Sequence, residues 1–221
     1  MAASDNGSNG DVASPARLAD RQKASAGEIL DAAAKAFGRR GYAATSIDDV
    51  ADELGCTKGR IYHYFRTKGE LFIGIHHRSL VWALEAIRPA LEAPDIDVVE
   101  RLRRMVRGHA MHMMERADYM GPAQHHTEMN LAREGRNKDN SVAEIFEMRR
   151  EFEAAFVKVV EQGIAEGKFR DGDAGLLAKA LLGSVNWMSV WYHPGSSMDV
   201  PEERERIADE FSEFAVRGVL A

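Results

Sequence analysis

The sequence predicts an all-α protein of two lobes, a small N-terminal one and a larger C-terminal one, with about nine helices in all. Three observations carry that expectation. From Pro15 onward, apolar residues recur at helical spacing nearly throughout. Runs of alternating Val, Ile and Thr are absent, and the six prolines sit mostly at segment edges. Charge and methionine are also unevenly shared. Residues 15–70 hold ten Lys/Arg against eight Asp/Glu, residues 71–221 hold nineteen against twenty-five, and all nine methionines after Met1 lie between 105 and 198. Such a split points to two lobes with different work, one facing something anionic and one with an adaptable apolar interior.

Composition bounds the rest. With 45% hydrophobic and 29% charged residues over 221 positions, the chain can bury a sizeable core. A net charge of −6 excludes a wholly basic nucleic-acid coat and leaves room for a local basic surface. The single Cys56 excludes a disulfide framework and any CxxC motif. No apolar run is long enough for a membrane span, and the first residues lack the basic and apolar regions of a signal peptide, so a soluble cytoplasmic protein is expected. Residues 1–14 contain nine Ser, Asn, Asp or Gly and read as a flexible tail.

A first helix is expected at Ser25, where Ser25-Ala-Gly-Glu28 has capping-box spacing. Ile29, Ala33, Ala36 and Phe37 form its apolar stripe, and Gly41 stops it. Arg17, Arg21 and Lys23 would form a basic arm ahead of it. The second helix starts after Thr45-Ser46, carries Ile47, Val50, Ala51 and Leu54 on one face, and ends at Gly55. Thr57 then caps a short third helix, Lys58 to Phe65. Two helices joined by so tight a turn form a helix-turn-helix. Ile61 and Phe65 face inward, which leaves Lys58, Gly59, Arg60, Tyr62 and His63 outside, with Tyr64 at the border.

That outer face has the chemistry of a major-groove reader. Arg60 can donate bidentately to a guanine edge, and Gly59 permits close backbone approach. Thr57 and the tyrosine hydroxyls can meet phosphate oxygens at a helix N-terminus that itself favours anions. A second capping box, Thr67-Lys-Gly-Glu70, opens a fourth helix with Lys68 in its first turn, a position that an anion favours and the helix dipole does not.

Thr45-Ser-Ile-Asp-Asp-Val-Ala-Asp-Glu-Leu-Gly-Cys-Thr-Lys-Gly-Arg-Ile-Tyr-His-Tyr-Phe-Arg-Thr-Lys-Gly-Glu-Leu-Phe72, with Ala36-Phe-Gly-Arg-Arg-Gly-Tyr-Ala-Ala-Thr45 before it, closely resembles the DNA-binding signature of the tetracycline-repressor (TetR) family. The resemblance spans about residues 25–75. It implies a dimeric regulator with a three-helix DNA-binding domain, here 15–68, and a helical ligand-binding and dimerisation domain, here 69–221. By position it implies phosphate contacts from Thr45, Lys58, Tyr62, Tyr64 and Lys68, and base-edge contacts from Gly59, Arg60 and His63. Tyr64 and Thr57 stand where the family often has His and Ser, and both keep a hydrogen-bonding group. A subunit neutralising about four phosphates would give a dimer a slope of log affinity against log salt near −7.

From that capping box the fourth helix is expected to continue through Leu71 to Pro89, touching both lobes. A helix follows at about Asp97–Arg116, then a shorter segment around Pro122–Ala132, a long helix at about Asn140–Glu166, a strongly apolar stretch over Asp173–Tyr192 and a last helix from Pro201 to about Arg217. A helix apolar on more than one face needs partners on more than one side. In the family that resemblance suggests, the last two helices pair with the same two of a second subunit, so a homodimer is expected. Glu161-Gln-Gly-Ile-Ala-Glu-Gly-Lys-Phe-Arg170 and Asn186-Trp-Met-Ser-Val-Trp-Tyr-His-Pro-Gly195 resemble a TetR branch that regulates fatty-acid and sterol-fragment breakdown, which implies an acyl-coenzyme A inducer.

Met105, Met113, Met120, Phe146, Phe152, Phe156, Trp187 and Trp191 are candidates to line an apolar site, with His109 donating to a ligand carbonyl and Arg133, Arg136, Arg149 and Arg150 meeting phosphates. The same residues can equally be plain core, and the two tryptophans can fill a dimer seam. Adjacent and i,i+3 histidines (His76-His77, His109/His112, His125-His126) lack a nearby carboxylate or cysteine at ligand spacing, so no metal or other cofactor is expected. No Walker A, GxSxG, HExxH or GxGxxG motif is present, and no enzymatic activity is expected. The alternatives kept are an activator, a ligand-independent regulator of the same fold, and a metal-binding helical protein.

Overall fold

The computed structural model describes residues 15–120 and 140–221. Among them are ten helices: α1 Pro15–Arg40, α2 Ile47–Leu54, α3 Lys58–Tyr64, α4 Lys68–Glu92, α5 Val98–Glu115, α6 Ala117–Met120, α7 Asn140–Ala165, α8 Ala174–Asn186, α9 Met188–Trp191 and α10 Pro201–Val219. The fold is all-α. Among the described residues the sole strand-like feature is an isolated bridge between Phe169 and Leu220. The expected segment Pro122–Ala132 and the tail 1–14 lie outside the described residues.

The first helix begins ten residues earlier than its capping signature suggests. Pro15 opens α1, and the next nine residues contain neither glycine nor a second proline, so nothing interrupts the helix before Ser25. Arg17, Arg21 and Lys23 are therefore part of α1 and do not precede it. Gly41, at φ 77°, ends the helix as expected. At α2, Ser46 Oγ accepts from Asp49 N–H at 3.1 Å while Asp49 accepts from Ser46 N–H at 2.8 Å, and Gly55 closes the helix in the left-handed conformation. The tight turn to α3 follows from that closure.

Helix α4 joins the lobes. Its buried Leu71, Phe72 and Ile75 pack on α1, with the Phe72 ring 4.7 Å from Tyr42 and 6.5 Å from Phe37. Its buried Ala83, Ile87 and Ala90 pack further along, toward α5. The helix does not end at Pro89 but continues to Glu92. Arg101 of α5 donates to the carbonyls of Ala90, Leu91 and Ala93 at 2.9, 2.6 and 3.1 Å, which satisfies the acceptors that a helix end leaves open. The α4–α5 approach is close: a Cβ on Gly108 would stand 2.5 Å from the Ala86 carbonyl oxygen. One continuous core runs from Ile29 and Phe37 through Phe72 to Leu102, Phe156 and Val216. Helix α8 ends at Asn186, and at its C-cap Trp187 the expected single stretch breaks into α8 and α9.

Candidate DNA interface and interior site

Helix α3 is pinned by Ile61, which is fully buried, and by half-buried Phe65. Thr57, Lys58, Gly59, Arg60, Tyr62 and His63 are exposed, and Tyr64 is half-buried with its ring edge-on to His63 at 4.9 Å. Thr57 occupies the N-cap position, yet its side chain makes no capping bond and is left available. Gly59 is not required by the fold, since a Cβ there would meet only Thr57 Oγ1 at 3.7 Å. A glycine without an internal reason fits a surface that something else approaches closely.

The acids just upstream are largely engaged. Asp48 pairs with Lys58 at 3.2 Å, Asp49 with Arg40, and Glu53 with Arg39. Hydrogen bonds from Ser46, with Arg40 nearby, hold the Asp49 carboxyl below its usual range. Arg60 is paired with Glu28 of α1 at 2.7 Å. Sequence reasoning gave Glu28 to a capping box and missed this contact, for which 32 residues of separation leave no local signal.

Two residues of the expected phosphate set are turned inward. Thr45 is 1% exposed, and its hydroxyl donates to the Gly41 carbonyl at 2.8 Å and reaches the Ala36 carbonyl at 3.3 Å. The Lys68 ammonium donates to the carbonyls of Tyr42 at 2.8 Å, Thr45 at 2.9 Å and Ala43 at 3.3 Å, and sits 4.5 Å from the Tyr42 ring centre. All three of its protons are spent on the α1–α2 turn, which explains how a cation is tolerated in the first turn of α4. The Thr67–Glu70 box is also altered. Thr67 Oγ1 accepts from Glu70 N–H at 3.1 Å, but Glu70 reaches Arg66 N–H at 2.7 Å.

In the C-terminal lobe Met105, His109 and Met113 are buried along one face of α5, and Phe152 and Phe156 are buried on α7. The His109 ring lies 4.9 Å from Phe152 and 6.4 Å from Phe156, which are themselves 5.3 Å apart. His109 Nε2 is 2.9 Å from Asn186 Oδ1, and burial holds its pKa down at about 4. Met120 is buried in α6 with its sulfur 3.8 Å from Ser79 Oγ, and Phe146 is half-buried. Trp187 is not part of this interior: it is 60% exposed, and Trp191 stacks 6.0 Å from Phe211 of α10. Arg149 is exposed on α7, as is Arg150, which pairs with Glu147; Arg133 and Arg136 lie outside the described residues. Among the described residues no three metal-binding side chains converge, and no helix is long and apolar enough to cross a membrane.

The lobes meet through a polar knot. Arg78 of α4 donates to the Gly27 carbonyl at 2.8 Å, to Asp31 of α1 at 3.1 Å and to the Tyr119 hydroxyl of α6 at 2.9 Å, while Tyr119 donates to Asp31. Trp82 carries guanidinium groups near its ring from Arg78, at 4.4 Å, and from Arg116, at 4.1 Å. Burial and the Asp31 contact push the Tyr119 hydroxyl pKa well up.

Comparison with known proteins places this architecture. The model for bacterial regulatory proteins of the tetR family matches residues 29–75, and that for the tetracyclin repressor-like C-terminal domain matches residues 95–219. The chain belongs to the TetR family of transcriptional regulators. It is 27% identical over 208 residues to the HTH-type transcriptional repressor KstR2 of Mycobacterium tuberculosis, covering 92% of this chain and 96% of that one. The structure of that ketosteroid transcriptional regulator has a TM-score of 0.74 at 24% identity, covering 89% and 95% of the two chains, a likeness of fold. The TetR-family regulator PfmR from Thermus thermophilus aligns at 29% identity and a TM-score of 0.69, covering 86% and 97%.

Proposed function

We propose that the protein is a cytoplasmic homodimeric repressor that grips a palindromic operator with α3 and releases it when a small ligand enters the C-terminal lobe. The DNA reading rests on one observation above all: α3 holds no acid, is anchored by Ile61, and exposes Thr57, Lys58, Gly59, Arg60, Tyr62 and His63 together. Arg60 and His63 would lie nearest base edges, with Gly59 admitting the groove wall. Lys58, Tyr62, Thr57 and Tyr64 would meet phosphates. The family and the name of the KstR2 relative favour a repressor.

Dimerisation through α8 and α10 is supported by two outer stripes. Leu176, Ala180 and Gly183 on α8 and Trp187 at its C-cap follow one another at helical spacing and are all exposed, as are Phe214 and Gly218 on α10. Leu176 and Phe214 are each 66% exposed, an unusual position for large apolar side chains. A Cβ on Gly183 or Gly218 would touch nothing within 4 Å, so neither glycine serves the subunit's own packing, and both leave space for a second helix pair.

The inducer is an acyl-coenzyme A thioester in this reading, supported by the two segments at 161–170 and 186–195. Its arrival between α5 and α7 would shift α6, and Tyr119 and Arg78 would carry that shift to Asp31 on α1. Fluorescence anisotropy with DNA from upstream of the protein's own gene tests the reading. Tight, salt-dependent binding by a dimer is expected, with dissociation on adding a thioester but not the matching free acid. A monomer, or indifference to every duplex at low salt, refutes it.

A further inference from the structure

The buried face of α5 contains polar atoms that the fold leaves unsatisfied. His109 and His112 are 4% and 5% exposed, their rings 6.3 Å apart and nearly parallel, and neither His109 Nδ1 nor His112 Nε2 has a hydrogen-bond partner. Such groups cost a protein free energy that packing by Phe or Leu would avoid. Asn186 Oδ1 can only accept, which assigns the His109 proton to Nε2, facing it. The remaining ring nitrogen, Nδ1, then presents a lone pair. That reverses the polarity expected from sequence, in which His109 donates to a ligand carbonyl.

We propose that His109 and His112 form the polar subsite of the C-terminal ligand site, and that the buried part of the ligand is a hydrocarbon body bearing a hydroxyl that donates to His109 Nδ1. This deepens the reading of the lobe as ligand-binding and rests on it. Phe152 and Phe156 on α7, together with Met105 and Met113 on α5, supply the apolar walls. Asn186 is exposed and fixes the tautomer from outside, so it acts as a positioning residue. His112 Nε2 offers a second polar contact to the same ligand.

The test uses three probes with the same propylphenyl body on the full-length protein: 4-propylphenol, which donates; 4-propylanisole, which only accepts; and propylbenzene, which does neither. Calorimetric titration is expected to show the phenol binding about tenfold more tightly than either partner. In His109→Phe that preference falls to near onefold. Asn186 Oδ1 turns to water there, so no buried orphan is created. His112→Phe and His112→Leu, which remove an unpartnered nitrogen, are expected to leave the melting temperature unchanged or raised. Equal binding of phenol and anisole, a preference that survives His109→Phe, or a clear fall in melting temperature in both His112 variants overturns the subsite. Operator binding measured on the same samples keeps the two claims apart. Intact operator binding with no probe bound sinks the subsite alone, whereas a phenol preference without operator binding sinks the regulator reading alone.

Discussion

Lys68→Met separates a structural lysine from a DNA-binding one. The ammonium makes two good hydrogen bonds, at 2.8 and 2.9 Å, and a longer one at 3.3 Å, and lies near the Tyr42 ring. A buried bond to a charged donor contributes about 1.5–3 kcal/mol, and half-burial roughly halves that. A cation over an aromatic face adds about 0.5–1 kcal/mol. Methionine keeps the apolar stem but leaves the α1–α2 turn carbonyls to water, so a loss of about 2–3 kcal/mol is expected. In a chain of this size that corresponds to a fall in melting temperature of about 5–10 °C.

Operator affinity measured over a range of salt supplies the second half. With Lys68 turned inward, each subunit would neutralise about three phosphates and not four, so a dimer's slope is expected near −5, and the substitution should leave it there. If Lys68 instead faced DNA, the slope would weaken by about 2 (one phosphate per subunit) while the melt stayed put. That second pattern would refute the assignment.

Arg60→Ala should relax base preference at one position per half-site by about 1–3 kcal/mol, read from a panel of operator variants. Glu28→Gln frees Arg60 from an exposed pair worth about 0–1 kcal/mol, so a rise in operator affinity of up to about fivefold is expected, and a fall would show that Glu28 positions the guanidinium. Gly108→Ala drives a methyl group against the Ala86 carbonyl and should cost about 1–3 kcal/mol in urea unfolding, with α4 and α5 forced apart. Tyr119→Phe removes the hydroxyl between Arg78 and Asp31; operator affinity should hold while the inducer concentration for release changes several-fold. Burial holds His76, His109 and His112 near pKa 4, 4 and 3, against about 6.5 unfolded. The unfolded chain therefore binds more protons between those values. Stability is complete above about pH 6.5 and falls as pH drops toward 3–4, and a urea midpoint equal at pH 7.5 and pH 5 would contradict this.

The legible part of this protein is the part specified within a few residues. Ser46, Gly55 and the Ile47–Val50–Ala51–Leu54 stripe fix α2, and Asp97 and Asp173 cap α5 and α8, because a cap and its acceptor lie within one turn. The same locality misleads at Ser25, whose capping spacing occurs inside a helix that has no reason to stop. What sequence reasoning misses joins distant positions: Lys68 to the 42–45 carbonyls, Glu28 to Arg60, Arg78 to Asp31 and Tyr119. A lysine in a basic motif has the same spelling whether its ammonium meets a phosphate or a carbonyl. The choice is made by the α1–α2 turn, which presents three carbonyl oxygens within reach of one flexible stem. The junction is illegible for the same reason, since its members come from α1, α4 and α6. It nevertheless bears most on the proposed function: in that reading a displacement of α6 would be felt by α1, which also carries Glu28, the residue paired with Arg60.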